Sequence, residues 1–395
     1  LCDRRQRQMC IRDRLHMSIS LKGITWSHSR GFTSIVAVSQ RFSELHPDVE
    51  ITWEKRSLQE FADAPLENLA KSYDLLIIDH PWAGFAAKHG ILLPLNEYLP
   101  TDYLKDQEEN SVGKSHISYN FEGFQSALAI DAATPIAVYR PDLLSNDEVP
   151  STFDDVLSLA KKNKVIYAGI PLNLLMDFYM FCNTMDDSFF SEDRFVSKET
   201  GTTVLELMRE LASYCTKDIF NWDPIQVHEV LSSKNDYSYC PFAYGYTNYS
   251  RNGYCEHLLK ATDVVTWNDK LLKTVLGGTG LAISSQCEHK DQAVAFAKYA
   301  ASPEIQKTLF FDNGGQPGHR AAWTDTETNR RCMDFFKDTL KTLDASYLRP
   351  RYSGYLYFQD HAGDYIQDYV MNGGNVDDTL NKLQQLYETS RKERS

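Results

Sequence analysis

Strand-like and helix-like patterns alternate three times between residues 18 and 79, which leaves few folds open to the chain. Residues 18–25 suit a short strand, and residues 32–45 carry apolar side chains at helical spacing. Residues 49–53 alternate as a strand, residues 58–71 suit a helix, and residues 73–79, YDLLIID, form an apolar run typical of a parallel strand buried on both faces. This order predicts an open α/β sheet whose ligand side lies beyond the carboxyl ends of its strands.

A second ordered segment spans residues 275–323, VLGGTGLAISSQCEHKDQAVAFAKYAASPEIQKTLFFDNGGQPGHRAAW. It places a glycine turn, a strand, an amphipathic helix, a second helix start and another glycine turn in succession. Ser302 and Pro303 predict that helix start, because serine can cap free amides and proline tolerates the first helical position. The segment therefore predicts two helices that meet at Ser302.

Length and charge restrict the class of protein. A chain of 395 residues exceeds what one hydrophobic core usually serves, so two lobes are expected. No apolar run approaches the roughly 18 residues that a membrane-spanning helix needs. The net charge of -13 disfavours nucleic acid and anionic membranes as partners, because their phosphates would be repelled. An uncharged small ligand suits this charge better.

The N-terminal segment differs from the rest of the chain. Residues 1–14, LCDRRQRQMCIRDR, contain five arginines and no apolar stretch, so they do not form a secretory signal. We interpret residues 1–16 as a non-native or disordered segment, with Met17 as the natural start. Two alternatives for the native protein stay open, a leader that is lost or processed and a cytosolic protein.

Cysteine spacing argues against a structural metal. The six cysteines after Met17 show no CxxC or Cys/His pattern with zinc spacing, and no cofactor motif is present. Cys240 and Cys255 could form a disulfide if they lie close together, or they could be separate buried thiols. The sequence leaves this choice open.

The two lobes can be delimited along the chain. Residues 123–140 alternate like paired strands, with a break at residues 131–135 that suggests a crossing between lobes. Helical periodicity dominates the following 135 residues. We therefore predict one lobe from residues 17–131 and 276–325, and a second from residues 132–275 and 326–395.

Seven motifs occur in the order of a known family: WSHSRG, FSELHPDVEITWE, YDLLIIDHPWAGFAAKHGILLPLNEYL, ALAIDAATPIAVYRPDLL, TFDDVLSLAKK, GGTGLAIS and SPEIQ. Over residues 19–322 the chain resembles the family 1 extracellular solute-binding proteins, the maltose-binding-protein-like sugar-binding components of ABC importers. The resemblance implies a two-lobed periplasmic-binding-protein type II fold whose lobes close on a ligand. It also implies a sugar or polyol ligand, an ABC permease partner, a monomer, a periplasmic or surface location, and no catalysis.

The chain departs from this family at two loops. The third strand is followed by Asp79-His80-Pro81-Trp82 where the family commonly has small or polar residues. The turn at residues 314–320, GGQPGHR, is also more elaborate than usual. We expect the first loop to set the choice of ligand, and the second suggests a ligand other than a simple sugar.

Aromatic and polar residues at the strand ends are the first candidates for ligand contact. Trp26 and Trp82 could stack on the apolar faces of a sugar, or could be packing residues. His28 and Ser29 lie where the first helix begins and could bind an oxygen-rich ligand, cap the helix, or do both.

Two carboxylates at the ends of buried strands require a partner, because an unpaired buried charge costs several kcal/mol. Asp79 could contact a ligand hydroxyl, His80 or a backbone amide. Asp131, just before the crossing, could contact the ligand or hold the hinge. Asp79, His80 and Asp131 are also the residues that a sugar hydrolase or lyase would use for acid–base chemistry.

The second lobe and the glycine turns supply the remaining candidates. Asn173 and Asp177 open a helix, and either Tyr244 or Tyr246 should face the cleft. Gly278 should let the backbone approach the ligand. The 277–280 turn is not a phosphate loop, because a strand follows it and no Gly-Lys-Ser/Thr occurs.

His319 and its neighbour Arg320 could clamp an anionic ligand or lie in solvent. Taken together, these patterns predict a carbohydrate-binding protein of an ABC importer. The alternatives are a cytosolic ligand sensor of the same fold and, less favoured, a sugar-processing enzyme. No nucleophile or metal motif supports the enzyme.

Overall fold

The computed structural model describes residues 18–63 and 65–392 and shows two lobes, each built on its own β-sheet. The predicted two-lobed α/β architecture is confirmed. The segment 1–16 and the proposed start at Met17 lie outside the described residues.

Twelve strands and eighteen helices form the described chain, apart from short 3-10 turns and one π-helix at Gln306–Phe310. The strands are β1 (Ile19–Trp26), β2 (Val49–Arg56), β3 (Leu75–Ile78), β4 (Asn120–Phe121), β5 (Phe124–Gln125), β6 (Leu128–Asp131), β7 (Pro135–Tyr139), β8 (Tyr239–Tyr244), β9 (Lys260–Thr262), β10 (Thr266–Trp267), β11 (Lys270–Leu271) and β12 (Thr279–Ile283). The helices are α1 (Thr33–Leu45), α2 (Leu58–Asp63), α3 (Leu66–Ser72), α4 (Ala83–His89), α5 (Leu95–Tyr98), α6 (Thr101–Asn110), α7 (Ser115–Ser118), α8 (Phe153–Ala160), α9 (Pro171–Met185), α10 (Lys198–Ser213), α11 (Pro224–Ser233), α12 (Lys290–Ala301), α13 (Pro303–Ile305), α14 (Arg320–Trp323), α15 (Thr326–Arg330), α16 (Phe335–Asp344), α17 (Tyr355–Asn372) and α18 (Val376–Lys392).

The first lobe contains a five-stranded sheet in the order β2-β1-β3-β12-β6. β1 runs parallel to β2 and β3, as the alternating pattern predicts. β12 lies antiparallel between β3 and β6, so a late segment of the chain completes a sheet that begins at the N-terminus. Leu75 and Ile77 pack into the core on one face of the sheet, and Leu76 and Ile78 into the core on the other. The apolar run at β3 is therefore buried on both faces.

The second lobe contains a three-stranded antiparallel sheet in the order β8-β7-β9, covered by helices. β6 and β7 lie in different sheets, on either side of the break at residues 131–135 where the sequence suggests a crossing between lobes. Residues 132–134 carry the chain from one sheet to the other.

Two helical predictions need correction, and one helix was not predicted. The helix expected over residues 58–71 is two helices, with Pro65 at the N-cap of the second. Ser302 does not cap a helix with its side chain, because its hydroxyl donates to the Tyr299 carbonyl instead. The long helix α17 was missed, since tyrosine and glycine in YLYFQDHAGDYIQDYVMN weaken its helical pattern.

The cysteines of the described chain are free thiols. Cys240 is buried, whereas the Cys255 thiol contacts the carbonyls of Tyr249 and His257. Within residues 18–63 and 65–392, no cluster of His, Cys, Asp and Glu is arranged to hold a metal ion.

Gly278 allows the late segment to pass close to the crossing between the lobes. Its φ is +90°, and a Cβ atom there would lie 2.4 Å from the Asp131 carbonyl oxygen and 2.8 Å from the Ala132 Cα. Side-chain-bearing residues rarely adopt this backbone conformation, and the contacted atoms are backbone atoms that cannot easily move. Glycine is therefore required both by conformation and by space.

We expect Gly278→Ala to lower the free energy of unfolding by more than Gly253→Ala. Gly253 has a similar φ of +83° but open space around its Cα, so its substitution isolates the conformational strain, about 1 kcal/mol. Urea unfolding followed by circular dichroism measures both values. Equal losses in the two variants would contradict the steric argument.

Candidate functional site

A cavity of about 170 Å³ lies between the two lobes. Residues at the ends of β1 and β3 line it on the first lobe, and residues from α9, α11 and β8 line it on the second. Six predicted site residues are part of its wall: Trp26, Asp79, Asn173, Tyr244, Tyr246 and Gly278. The other seven lie outside this lining: His28, Ser29, His80, Trp82, Asp131, Asp177 and His319.

Aromatic rings form much of the cavity wall. Trp26 is the last residue of β1 and is only 3% exposed, with its ring 5.6 Å from that of Phe61. Tyr244 ends β8, and its ring packs where a Cβ of Gly277 would otherwise lie. Tyr246 also faces the cavity, so both tyrosines lie there where the sequence predicted one. Flat apolar surfaces of this kind stack against the C–H faces of sugar rings.

Several polar groups in the wall have no protein partner. The Thr279 hydroxyl and the Arg349 Nε are buried without a hydrogen bond. Helix α9 begins at the cavity, and no side chain caps its first turn at Ile170. Its free amides, with the side chain of Asn173, offer hydrogen bonds to ligand oxygens. The wall therefore combines stacking surfaces with unused hydrogen-bonding groups.

Arg30, which the sequence did not single out, joins the two lobes beside the cavity. Its Nε and Nη2 donate to the two carboxylate oxygens of Asp131 at 2.7 and 2.6 Å, and its Nη1 donates to the Gly245 carbonyl at 2.8 Å. Burial lowers the pKa of Arg30, but the Asp131 carboxylate outweighs burial and the net pKa is raised. Because Arg30 occupies both oxygens of Asp131, the contact matches the hinge-holding alternative for that carboxylate.

Asp79 is paired with Arg349, as expected for a carboxylate at the end of a buried strand. Arg349 Nη2 donates to both Asp79 oxygens at 2.7 and 2.8 Å, and the His80 amide donates to Oδ1. Burial raises the pKa of Asp79, but Arg349 and the His80 contacts outweigh it and hold the pKa well below its usual range. Asp79 is therefore an ionised carboxylate at the cavity wall.

His28 and Ser29 contact the opposite lobe. The Ser29 hydroxyl lies 2.8 Å from the Tyr254 hydroxyl, and His28 Nε2 lies 3.2 Å from the same oxygen. His28 Nδ1 accepts a hydrogen bond from the Arg30 amide. The loop after β1 therefore joins the lobes at the rim of the cavity.

The remaining predicted residues are placed elsewhere. His80 is fully buried beside Tyr119, and Trp82 packs against Phe85. Asp177 lies inside α9, where burial raises its pKa well above the usual value. His319 Nε2 lies 3.7 Å from an Asp106 carboxylate oxygen.

The elaborate turn at residues 314–320 braces the crossing between lobes. The Gln316 amide nitrogen donates to the carbonyls of Ala132 and Gly245, and its oxygen accepts from the Thr247 amide. Arg320 forms an ion pair with Asp344. The turn thus has a structural use that the sequence pattern did not reveal.

The sequence contained an indirect signal for the two missed arginines. Asp79 and Asp131 were expected to need partners, and a buried carboxylate most often pairs with a cation. The chain has 41 lysines and arginines, and nothing in their spacing selects Arg30 and Arg349 from the others. The partners lie 101 and 270 residues away from their carboxylates.

Asp131→Asn should lower the free energy of unfolding by about 3 kcal/mol or more, because it leaves the Arg30 charge buried and unpaired. Glu327→Gln is the matched control, since Arg330 binds Glu327 with the same two-nitrogen geometry on the surface. That control should leave the urea midpoint near the wild-type value. Similar losses of unfolding free energy in both variants would contradict the argument that burial makes the Arg30–Asp131 pair important.

Stability should fall as the pH decreases from about 6.5 to 4. Burial lowers the pKa of His80, His116 and His228 to about 4. In this range the unfolded chain binds protons that the folded protein does not. Each of these histidines therefore lowers the free energy of unfolding by up to about 1.4 kcal/mol for every pH unit of acidification. Urea unfolding at pH 7, 6 and 5 measures the slope, and His228→Gln should make it shallower. A flat wild-type profile would refute this expectation.

Comparison with known proteins places the chain in a family. The model of the bacterial extracellular solute-binding protein family matches residues 25–307. The maltotriose-binding protein of Pyrococcus abyssi (strain GE5 / Orsay) is 30% identical over 126 residues, which are 32% of this chain and 26% of that protein. The chain thus aligns with about a quarter of that relative.

Solved structures share the fold at low sequence identity. Maltose-bound MalE3 of T. maritima has a TM-score of 0.79 at 16% identity, covering 94% of this chain and 100% of that one. A solute-binding protein of Agrobacterium radiobacter K84 in complex with ribitol has a TM-score of 0.80 at 18% identity, covering 95% of this chain and 99% of that one.

Within residues 18–63 and 65–392, no helix has the length and apolar character to cross a membrane. The family model covers well over half of the chain, and the two-lobed fold agrees with it. The chain belongs to the bacterial extracellular solute-binding protein family.

Proposed function

We propose that the protein binds one small polyhydroxylated molecule, a sugar or a polyol, in the cavity between its lobes. The observation that carries this proposal is the wall itself, in which Trp26 and Tyr244 provide flat surfaces beside the unpaired Thr279 hydroxyl and Arg349 Nε. Hydroxyl groups can satisfy such donors and acceptors, while C–H faces stack on the rings.

The charges around the cavity favour an uncharged ligand. Arg30 is neutralised by Asp131, and Arg349 by Asp79. Asp223, which caps α11, adds a further carboxylate to the wall. Among the described residues of the wall, both arginines are thus paired with a carboxylate, and neither offers an uncompensated charge to an acidic sugar.

The relatives are consistent with a sugar or polyol. They include a maltotriose-binding protein, a maltose-bound protein and a ribitol complex. We propose the same class of ligand here, together with delivery to an ABC permease and action in the periplasm or at the cell surface. A cytosolic sensor would share the binding step and would lack the permease.

We propose that the lobes comprise residues 17–131 with 276–325, and 132–275 with 326–395, and that they close on the ligand by hinge motion. Contacts that join the lobes support this, namely Arg30 with Gly245, Ser29 with Tyr254, and Asn248 with the Gly314 carbonyl. If the open and closed forms differ in free energy by only a few kcal/mol, a ligand that binds the closed form more tightly shifts the population to it.

The enzyme alternative finds little support in the geometry. Asp79 and Asp131 are each paired with an arginine, and His80 is buried away from the cavity lining. A general acid–base pair has to reach the substrate in a shared site.

Isothermal titration calorimetry with ribitol, tagatose, glucose and maltose tests the function. At least one should bind with saturation, and Tyr244→Phe should weaken binding about fivefold, because it removes a hydroxyl group from the cavity wall. Trp26→Ala should weaken it further, whereas Trp82→Ala, outside the cavity lining, should not.

Circular dichroism checks that each variant is folded. Equal effects of Trp26→Ala and Trp82→Ala would place the ligand elsewhere. Failure of a wider panel of sugars and polyols to bind would refute the proposed ligand class.

A further inference from the structure

A second pocket, of about 300 Å³, shares Arg349 with the first cavity. Its wall consists of residues 347–352 together with Phe121, Phe190 and Arg391. We call it the hinge pocket, because Phe121 lies on β4 of the first lobe and Arg391 on α18 of the second.

The hinge pocket is positively charged within a negatively charged protein. Three arginines, Arg349, Arg351 and Arg391, belong to its wall, and none of the described residues that line it is acidic. The whole chain carries a net charge of -13. Asp79 neutralises the charge of Arg349 from the cleft side, so the positive charge of the hinge pocket comes from Arg351 and Arg391.

Arg351 keeps its charge uncompensated. Its Nη1 donates to the backbone carbonyls of Ile117, Ser118 and Asn120, which are neutral acceptors. Burial lowers the pKa of Arg351, with no carboxylate to offset it. These three carbonyls hold the guanidinium in place, while its Nε and Nη2 stay available to an anion.

Arg391 is held by aromatic rings. Its guanidinium lies 5.1 Å from the ring centroid of Tyr352 and 5.8 Å from that of Tyr387. Such stacking orients the guanidinium and leaves its edge free for hydrogen bonds. Among the residues that the structure describes, no carboxylate forms an ion pair with Arg391.

We propose that the hinge pocket binds a small oxyanion, a phosphate or carboxylate, carried on a flat apolar group. Arg351 and Arg391 would donate charge-assisted hydrogen bonds to the oxyanion. Phe121, Phe190 and Tyr347 offer ring surfaces to the apolar part. This site is separate from the sugar cavity and does not depend on the function proposed for it.

Binding in the hinge pocket should depend on the arrangement of the lobes. Arg351 is tied to residues 117–120 of the first lobe, and Arg391 lies on the last helix of the second. An anion that contacts both arginines bridges the lobes, so anion binding and lobe closure are thermodynamically linked.

Calorimetric titration of the full chain with phenyl phosphate at constant ionic strength tests the site, without any sugar present. Saturable 1:1 binding of phenyl phosphate or of benzoate is expected, with no binding of phenol. Arg391→Gln should weaken binding about tenfold, since a hydrogen bond to a charged group contributes about that factor. Arg391→Lys, which retains the charge, should weaken it less.

Arg41→Gln is the matched control, because Arg41 pairs with Glu44 on the exposed side of α1 and its loss changes the net charge equally. Arg41→Gln should bind as the wild type does. No saturable binding of either anion, or equal weakening in Arg41→Gln and Arg391→Gln, would overturn the proposal. Because α18 packs against the core, circular dichroism must show that Arg391→Gln has the native fold. If it does not, Arg391→Lys takes its place, and equal binding by Arg391→Lys and the wild type would overturn the proposal.

Discussion

The ion pair of Arg30 and Asp131 is the interaction on which the arrangement of the two lobes depends. Asp131 ends β6, an edge strand of the first sheet, directly before the chain crosses to the second sheet. Arg30 binds both of its oxygens and also the Gly245 carbonyl of the second lobe. A charge with so little access to water is stable only in this geometry, so the pair restricts how strand, loop and crossing can be placed.

A second arginine–carboxylate pair, Arg349 with Asp79, flanks the same cavity. In each pair a carboxylate neutralises an arginine of the cavity wall. Their hydrogen bonds leave a few groups unused, among them the Thr279 hydroxyl, which are available to a ligand. Arg349 also borders the hinge pocket, so one side chain belongs to the walls of both cavities.

Local patterns predicted most of the first sheet and part of the site. The apolar run at β3 and the amphipathic spacing of α1 arise from short-range periodicity, and the structure confirms both elements. Trp26 lies in the cavity wall, and strand ends of an α/β sheet share one edge, which is why the sequence made it a candidate. Trp82 follows a strand in the same way but packs against Phe85, because a helical turn redirects its side chain.

The sequence by itself determined the fold class, the family and the strand ends that border the cleft, because these depend on periodicity and motif order within short stretches. Tertiary structure alone decided the pairing of Asp131 with Arg30 and of Asp79 with Arg349, and the placement of His28 and Ser29 against Tyr254. These contacts join residues 101 to 270 positions apart. No local pattern encodes such a separation; the sheet order and the crossing between lobes bring the partners together.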